Sequence, residues 1–585
     1  MKKNNQTDSK IFGRLIKYAL PLKNAFIVSF LLMIISVGLN SVIPLVNAQM
    51  LALLGEKEIN QNLFITFILI FVVLILALII ISYFQNIILQ KAGQRIIYNI
   101  REQVFYNIEN FCNEQLNKEP VGKFVTRVTN DTQALNEMYT SVLVGLLKNI
   151  LQIIFVFIFM MITSVKFSLI TLAVAPIVLL SSIVFRKYSR QAYRNVRKNI
   201  SNMNAFLNEN ISGIKITQGF SQEDKQLAKF KTTNEELKKS SLKEIFIFGI
   251  FRPFIYVLYI ATVTLVLYIG GKEFLTTGLV GYVTIYTFYL YIEQFFQPIQ
   301  QLAEQFNTLQ SAFAASERIF DIIDTKPLIQ DKEDAIELED IKGRIEFKNV
   351  WFAYIKDEWI LKDVSFVIEE NQTVAFVGAT GSGKTTILSL IVRNYDIQRG
   401  QILIDGIDIK DIKIASLRSK IGQMLQDVFL FNGTIEENIT MFEKMDQEEI
   451  EQASKFVNAD RFIDKLPNKY QEIVKERGNN FSAGERQLLS FARCIVKKPS
   501  VMILDEATAN IDTETEVLIQ DSLEKMMNVG TMLIVAHRLS TIQYADNIIV
   551  MRKGKIIESG NHQELLALGG HYYDLYKLQY RGQNE

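Results

Sequence analysis

Cysteine and histidine are scarce in this chain: its 585 residues hold two cysteines, Cys112 and Cys494, and three histidines, His537, His562 and His571. That supply excludes a disulfide framework and leaves too few soft ligands for a thiolate or zinc centre. Net charge is nearly absent too, at +1. Without a global excess of positive charge to neutralise phosphates, a general nucleic-acid binder is excluded. The N-terminal MKKNNQTDSKIFGRLIKYALPLK has no short apolar core followed by a small-residue cleavage site, so it is not read as a cleaved signal peptide.

What the chain has in quantity is apolar sequence. Hydrophobic residues make up 49% and the mean hydropathy is +0.15, the balance of a membrane protein carrying a large water-soluble part. Charge-free runs predict six spans: Asn24 to Gly55, Ile59 to Gln90, Asn149 to Val165, Phe167 to Phe185, Pro253 to Gly271, and Phe274 to Ile292. Each is near or above the ~20 apolar residues that cross ~30 Å of hydrocarbon. The short connections after the odd-numbered spans hold one lysine each, Lys57, Lys166 and Lys272, whereas Lys187 to Lys243 holds twelve Lys and Arg. The long loops and both termini are therefore expected in the cytosol. These loops read as helical and polar, so the spans should continue beyond the bilayer as rods.

In Ile11 to Pro21, apolar Ile11, Phe12, Leu15, Ile16 and Ala19 recur at helical spacing with Arg14 and Lys17 opposite, which predicts an interfacial helix. The expected domains are 1–320, transmembrane with that helix; 321–342, an acidic, proline-containing linker; and 343–585, an α/β domain announced by strand runs such as TVAFVG and VMILD.

FVGATGSGKTT places Gly378, Ala379, Thr380, Gly381, Ser382, Gly383, Lys384, Thr385 and Thr386 between a strand and a helix at the spacing of a phosphate-binding loop. Glycines let backbone N–H groups curl round phosphate oxygens, Lys384 brings positive charge to the β and γ phosphates, and the Thr385 hydroxyl suits Mg²⁺. VMILDE ends an apolar strand in two carboxylates. Asp505 is placed to hold Mg²⁺ through water, and Glu506 to polarise the attacking water as general base.

Six spans, this loop and this carboxylate pair together resemble a half-transporter of the ATP-binding cassette (ABC) exporter family, over essentially the whole length. The resemblance implies a type I exporter fold: a membrane α-helical domain of six transmembrane helices followed by an α/β P-loop nucleotide-binding domain. It implies ATP and Mg²⁺ as cofactors, Tyr354 stacked on adenine, Gln426 sensing Mg²⁺ and the membrane domain, and His537 as the switch at the γ-phosphate. It also implies coupling segments around Asn117 to Asp131 and Asn208 to Asp224.

Family members enclose two ATPs between two nucleotide domains, each site completed by an LSGGQ signature from the opposite domain. Here the signature reads FSAGE. Ser482 and Gly484 remain, while Phe481, Ala483 and Glu485 replace leucine, glycine and glutamine. Ala483 adds a methyl group where close backbone approach is needed. Glu485 adds an anion near a polyphosphate, which at an effective dielectric of ~20 and ~8 Å costs about 2 kcal/mol per facing unit charge before screening. The expectation is a catalytically competent half of a heterodimer, its partner carrying an intact LSGGQ and a degenerate Walker B; a homodimer in which FSAGE works is the alternative. ANID, Ala509 to Asp512, stands where the family commonly has SALD.

Tyr282, Tyr286, Tyr289, Glu293 and Gln297 recur on one face of the last span, and an intramembrane carboxylate usually faces a cavity. They are read as a pathway for hydrophobic or cationic amphipathic compounds, with cation–π contacts from the Tyr rings. Multidrug export across a bacterial cytoplasmic membrane is the leading reading. Lipid or peptide export, and a membrane-tethered regulatory ATPase without transport, are the alternatives.

Overall fold

The structure is a computed structural model, and the residues it describes are 8–56, 60–276, 281–505, 513–535 and 542–583. The chain divides into two compact units, one of residues 1–109 and 120–326, the other of residues 110–119 and 327–585.

The first unit is helical. Among the described residues, Lys10–Leu54, of which the helix Lys23–Leu54 is the main part, Gln61–Glu109, Val121–Thr163, Val165–Ser212 and Glu223–Thr276 are the five helical stretches long and apolar enough to cross a membrane. Tyr282–Asp324 runs alongside them but is more polar, because tyrosines, glutamines and Glu293 interrupt its apolar run. The lengths explain the polar ends: the 49 residues of Gln61–Glu109 span ~73 Å at 1.5 Å per residue, over twice the ~30 Å hydrocarbon core. One boundary differs from expectation. Phe274 to Thr276 complete the fifth helix instead of opening the sixth, because the charge-free run continues past the helix end without marking it.

The helix Asp8–Ala19 does not give its whole apolar face to one environment. Ile11 and Leu15 are buried within the unit, while Phe12 and Ile16 are exposed. Arg14 makes two bonds to the Asp324 carboxylate, at 2.5 and 2.7 Å, and lies 4.0 Å over the Phe320 ring. Tyr139 donates its hydroxyl to the Leu15 carbonyl at 2.7 Å. The lower end of the last helix is further held by Arg318 on Asp131, at 2.8 and 2.5 Å, and by Asn107 donating to the Ile323 carbonyl at 2.8 Å.

The second unit has two main sheets. The larger, six-stranded sheet has the order Lys555–Gly560, Asn547–Arg552, Thr373–Val377, Thr531–Val535, Val501–Asp505, Ile421–Met424, parallel except for its first strand. TVAFV and TMLIV are buried at every position, as strands covered on both faces must be. One cover is an antiparallel sheet of Leu361–Ile368, Ile345–Phe352, Arg399–Ile404 and Ile407–Asp408, with Phe347, Phe376, Ile503 and Leu533 among the apolar residues in between. Helices, among them Ala483–Ile495 and Thr513–Met526, supply the other, where Leu488, Leu504 and Ile534 pack.

Candidate nucleotide site

Sheet register assembles the site. Val535 pairs with both Phe376 and Asp505, and Met424 pairs with Leu504, so the parallel strands finish level. The residues that follow, Gly378 and Gln426, therefore share one edge with Asp505, the carboxyl-end edge where open α/β sheets bind ligands. Gln426 lies exposed two residues past its strand, and Asp505 is half-buried at the end of its own. Glu506, His537 and the ANID segment lie outside the described residues.

The loop between Val377 and Lys384 is shaped for a large anion. Gly378 has φ +153°, and a Cβ there would stand 2.2 Å from the Met551 carbonyl oxygen, so only glycine lets the chain turn against that backbone. Gly383, at φ +107°, caps the helix Lys384–Ile391 with no side chain bonded to its first turn, which leaves N–H groups and the positive end of the helix dipole at the loop. Ala379, Thr380 and Gly381 are exposed at the crest. The Ser382 hydroxyl is buried without a hydrogen-bond partner among the described residues.

Lys384 is buried, and its ammonium folds back to donate to the carbonyls of Gly378 at 2.7 Å and Ala379 at 3.2 Å. Burial lowers its pKa from the usual lysine value, and the Asp505 charge opposes that shift. The Thr385 hydroxyl lies 3.5 Å from Asp505 Oδ1. An orphaned hydroxyl, a folded-back ammonium and uncapped N–H groups fit a polyphosphate, the ligand whose oxygens satisfy all three.

Aromatic residues wall the neighbouring space. Tyr354 is 45% exposed, so a ring face remains for stacking; its hydroxyl is 3.1 Å from Thr386 Oγ1, and Phe352 and Tyr395 meet it edge-on at 4.8 and 5.0 Å. Beside it a cavity of about 420 Å³ is lined by Tyr354, Lys356, Trp359, Tyr395 and Arg399, and also by Glu114 from the 110–119 segment of this unit. Asn117 of that segment donates to the Tyr395 hydroxyl at 3.3 Å. Sequence reading found Tyr354 and missed Tyr395, Trp359 and Arg399; the dense WFAY…W and RNYD clusters were the available signal.

The comparisons with known proteins agree with this geometry. The family model of the ABC transporter transmembrane region matches residues 26–299, and the ABC transporter model matches residues 361–509. The ABC transporter ATP-binding protein exp8 of Streptococcus pneumoniae is 36% identical, covering 98% of each chain. The chain belongs to the ABC transporter family.

Other relatives of this ABC transporter are the ATP-dependent lipid A-core flippase of Syntrophus aciditrophicus, 34% identical over 98% of this chain and 95% of the relative, and the multidrug resistance-like ATP-binding protein MdlB of Buchnera aphidicola, 32% identical over 97% and 98%. It is a multi-pass membrane protein that binds ATP and couples its hydrolysis to transport across the membrane.

The transporter's FSAGE segment opens the helix Ala483–Ile495. Ser482 is its N-cap and accepts the Glu485 N–H at 3.2 Å, while Glu485 reaches back to accept the Ser482 N–H at 2.7 Å. The replacement that sequence reading treated only as an added anion thus closes a capping box, which glutamine would also close. Its charge is what differs. Phe481 is buried, edge-on to Phe462 at 6.1 Å, and Gly484 is buried. Arg493 ties this helix to the carbonyls of Asn438 at 2.9 Å and Phe429 at 3.1 Å, just past Gln426.

In the membrane unit, Tyr282, Tyr286, Tyr289, Glu293 and Gln297 all fall on the exposed side of the last helix. Phe288, Tyr291, Ile292, Phe295 and Phe296 form the opposite, buried side.

Proposed function

We propose that this chain is the catalytically competent half of a heterodimeric exporter that drives hydrophobic or cationic amphipathic compounds out across a bacterial cytoplasmic membrane, with both termini cytosolic. The observation that carries the asymmetry is the Glu485 carboxylate on the first turn of the signature helix, where the family presents a neutral amide. It weakens the site this signature completes on the partner, and it leaves untouched the site built on Lys384 and Asp505. The proposed partner brings an intact LSGGQ and a degenerate Walker B.

Within this reading the division is 1–320, 321–342 and 343–585. Gly378 to Thr386 cradle the phosphates, with Tyr354 stacking on the base. Thr385, Gln426 and Asp505 hold Mg²⁺, partly through water; that ion, when bound, neutralises charge on the phosphate oxygens. Glu506 serves as general base, His537 and Gln426 report on the γ-phosphate, and Ser482 and Gly484 face the partner's nucleotide.

The exposed polar face of the last helix supports a cationic cargo: Glu293 attracts a positive charge and the tyrosines offer ring faces. Replacing Glu293→Gln should lower ATP-driven uptake of a cationic dye into inverted vesicles severalfold, while leaving a neutral dye unaffected. Unchanged uptake of the cationic dye would remove Glu293 from the pathway. A second reading, lipid cargo, is favoured by a mostly apolar cleft of about 430 Å³ between Val165–Ser212 and Glu223–Thr276, lined by residues such as Leu180, Phe185, Ile250 and Phe254 beside Ser181 and Tyr188. ATP-dependent movement of a fluorescent phospholipid with no dye flux would decide for it.

A further inference from the structure

Four of the described helices of the membrane unit carry a proline in mid-course, and two of these prolines, Pro44 in Lys23–Leu54 and Pro298 in Tyr282–Asp324, have linked surroundings; the others are Pro176 and Pro253. Proline has no N–H, so the carbonyl four residues earlier loses its helical donor and is crowded by the ring. For Pro44 and Pro298 those carbonyls belong to Asn40 and Gln294, and the two positions meet. Gln294 Nε2 donates to the Asn40 carbonyl at 3.4 Å, the very carbonyl that Pro44 leaves without a donor. Beside it the fully buried Tyr291 donates its hydroxyl to the Ser41 carbonyl at 3.0 Å. Among hydrocarbon no water can make these bonds instead, so the last helix satisfies the broken turn of the first.

We propose that these two bonds join the proline kinks into one hinge, which makes Gln294 and Tyr291 positioning residues for the transport cycle. Bending of the last helix at Gln294 to Pro298 is passed to the first helix at Asn40 to Pro44. The last helix runs on directly into the nucleotide-binding unit, as Gln61–Glu109 does into its 110–119 segment, whereas the first helix joins that unit at neither end, so the bonds at Asn40 and Ser41 carry the movement across to it. The hinge also sits where Glu293 and Gln297 flank it on the exposed face, so each bend changes how that face is presented. This inference rests on the ATP-coupled cycle and on no particular cargo or partner.

The test uses the complex purified from its native membranes into lipid nanodiscs. Spin labels go on Val28 and Leu54, exposed positions on either side of Pro44, about 39 Å apart along a straight helix at 1.5 Å per residue. Cys112 is replaced by serine, and Cys494 stays unlabelled because burial pushes its thiol up to about 12. Electron–electron double resonance should show a shift of about 2 Å or more in wild type after trapping with ATP, Mg²⁺ and vanadate. Gln294→Leu should abolish that shift and lower ATPase about fivefold, the effect of ~1 kcal/mol for a lost hydrogen bond. Tyr291→Phe, which removes one hydroxyl, should halve the shift and keeps the test open if Gln294→Leu does not assemble.

Pro44→Ala returns a donor to the Asn40 carbonyl, so adding Gln294→Leu to it should change neither the distance nor the ATPase any further. A wild-type distance that ignores nucleotide, a full shift in Gln294→Leu and Tyr291→Phe, or a Gln294→Leu loss of equal size with and without Pro44 would each overturn the hinge.

Discussion

Replacing Glu485→Gln keeps the side chain's length and removes its charge, and the two consequences have opposite signs. The carboxylate accepts the Ser482 N–H at 2.7 Å in the first helical turn, where a negative charge contributes about 0.3–1 kcal/mol through the helix dipole. Glutamine keeps the bond in its neutral form. A loss of about 0.5 kcal/mol should therefore lower the melting temperature of the nucleotide-binding unit by ~1–2 °C. At the phosphate that this helix start faces in the proposed dimer, removing the charge relieves about 2 kcal/mol at ~8 Å and an effective dielectric of ~20, or about 30-fold in ATP affinity. The assay is nucleotide affinity at the altered site of the purified complex, read beside thermal melting. A lower melting temperature with unchanged affinity would refute the repulsion and leave Glu485 as a helix cap only.

Two further perturbations have signs fixed by the structure. His562 Nδ1 lies 2.7 Å from the Tyr572 hydroxyl, and burial holds its pKa below the ordinary 6.5. The folded state thus disfavours the proton: the stabilisation is full above pH 6.5 and is lost as the pH falls below it through the lower folded value. Wild type should therefore lose more melting temperature between pH 6.5 and 5.5 than His562→Gln, and equal losses would show that the histidine does not report. Gly378→Ala places a methyl group 2.2 Å from the Met551 carbonyl, backbone that cannot step aside, and should cost about 3 kcal/mol. Denaturant unfolding with binding of a fluorescent ATP analogue checks it, and a variant that binds normally would show the loop to be looser than its geometry.

The phosphate loop could be read directly from the sequence because its chemistry is local: glycines at Gly378, Gly381 and Gly383 and a lysine before a helix mean one backbone shape. The strand ends could be read for the same reason, since TVAFV and VMILD are apolar runs that stop where Gly378 and Glu506 begin. Ser482 to Glu485 is legible as well, since S-x-x-E is a capping-box pattern in which the charge of Glu485 and its cap geometry act together. What local pattern could not give is the long-range pairing. Gln294 and Asn40 are 254 residues apart and Arg14 and Asp324 are 310 apart, and no periodicity brings such residues together. Nor could hydropathy find the helix end at Thr276, because the charge-free run continues past it.

On the proposed reading, this chain supplies a working hydrolytic site to a complex whose other half differs from it. The most direct measurement is the subunit composition of the tagged chain, purified in mild detergent from its native membranes. The expected result is a one-to-one complex with a second half-transporter carrying LSGGQ and an altered Walker B carboxylate. A pure homodimer with robust ATPase would contradict it, and would mean that a signature helix opening with Ser482, Ala483, Gly484 and Glu485 supports hydrolysis on both sides.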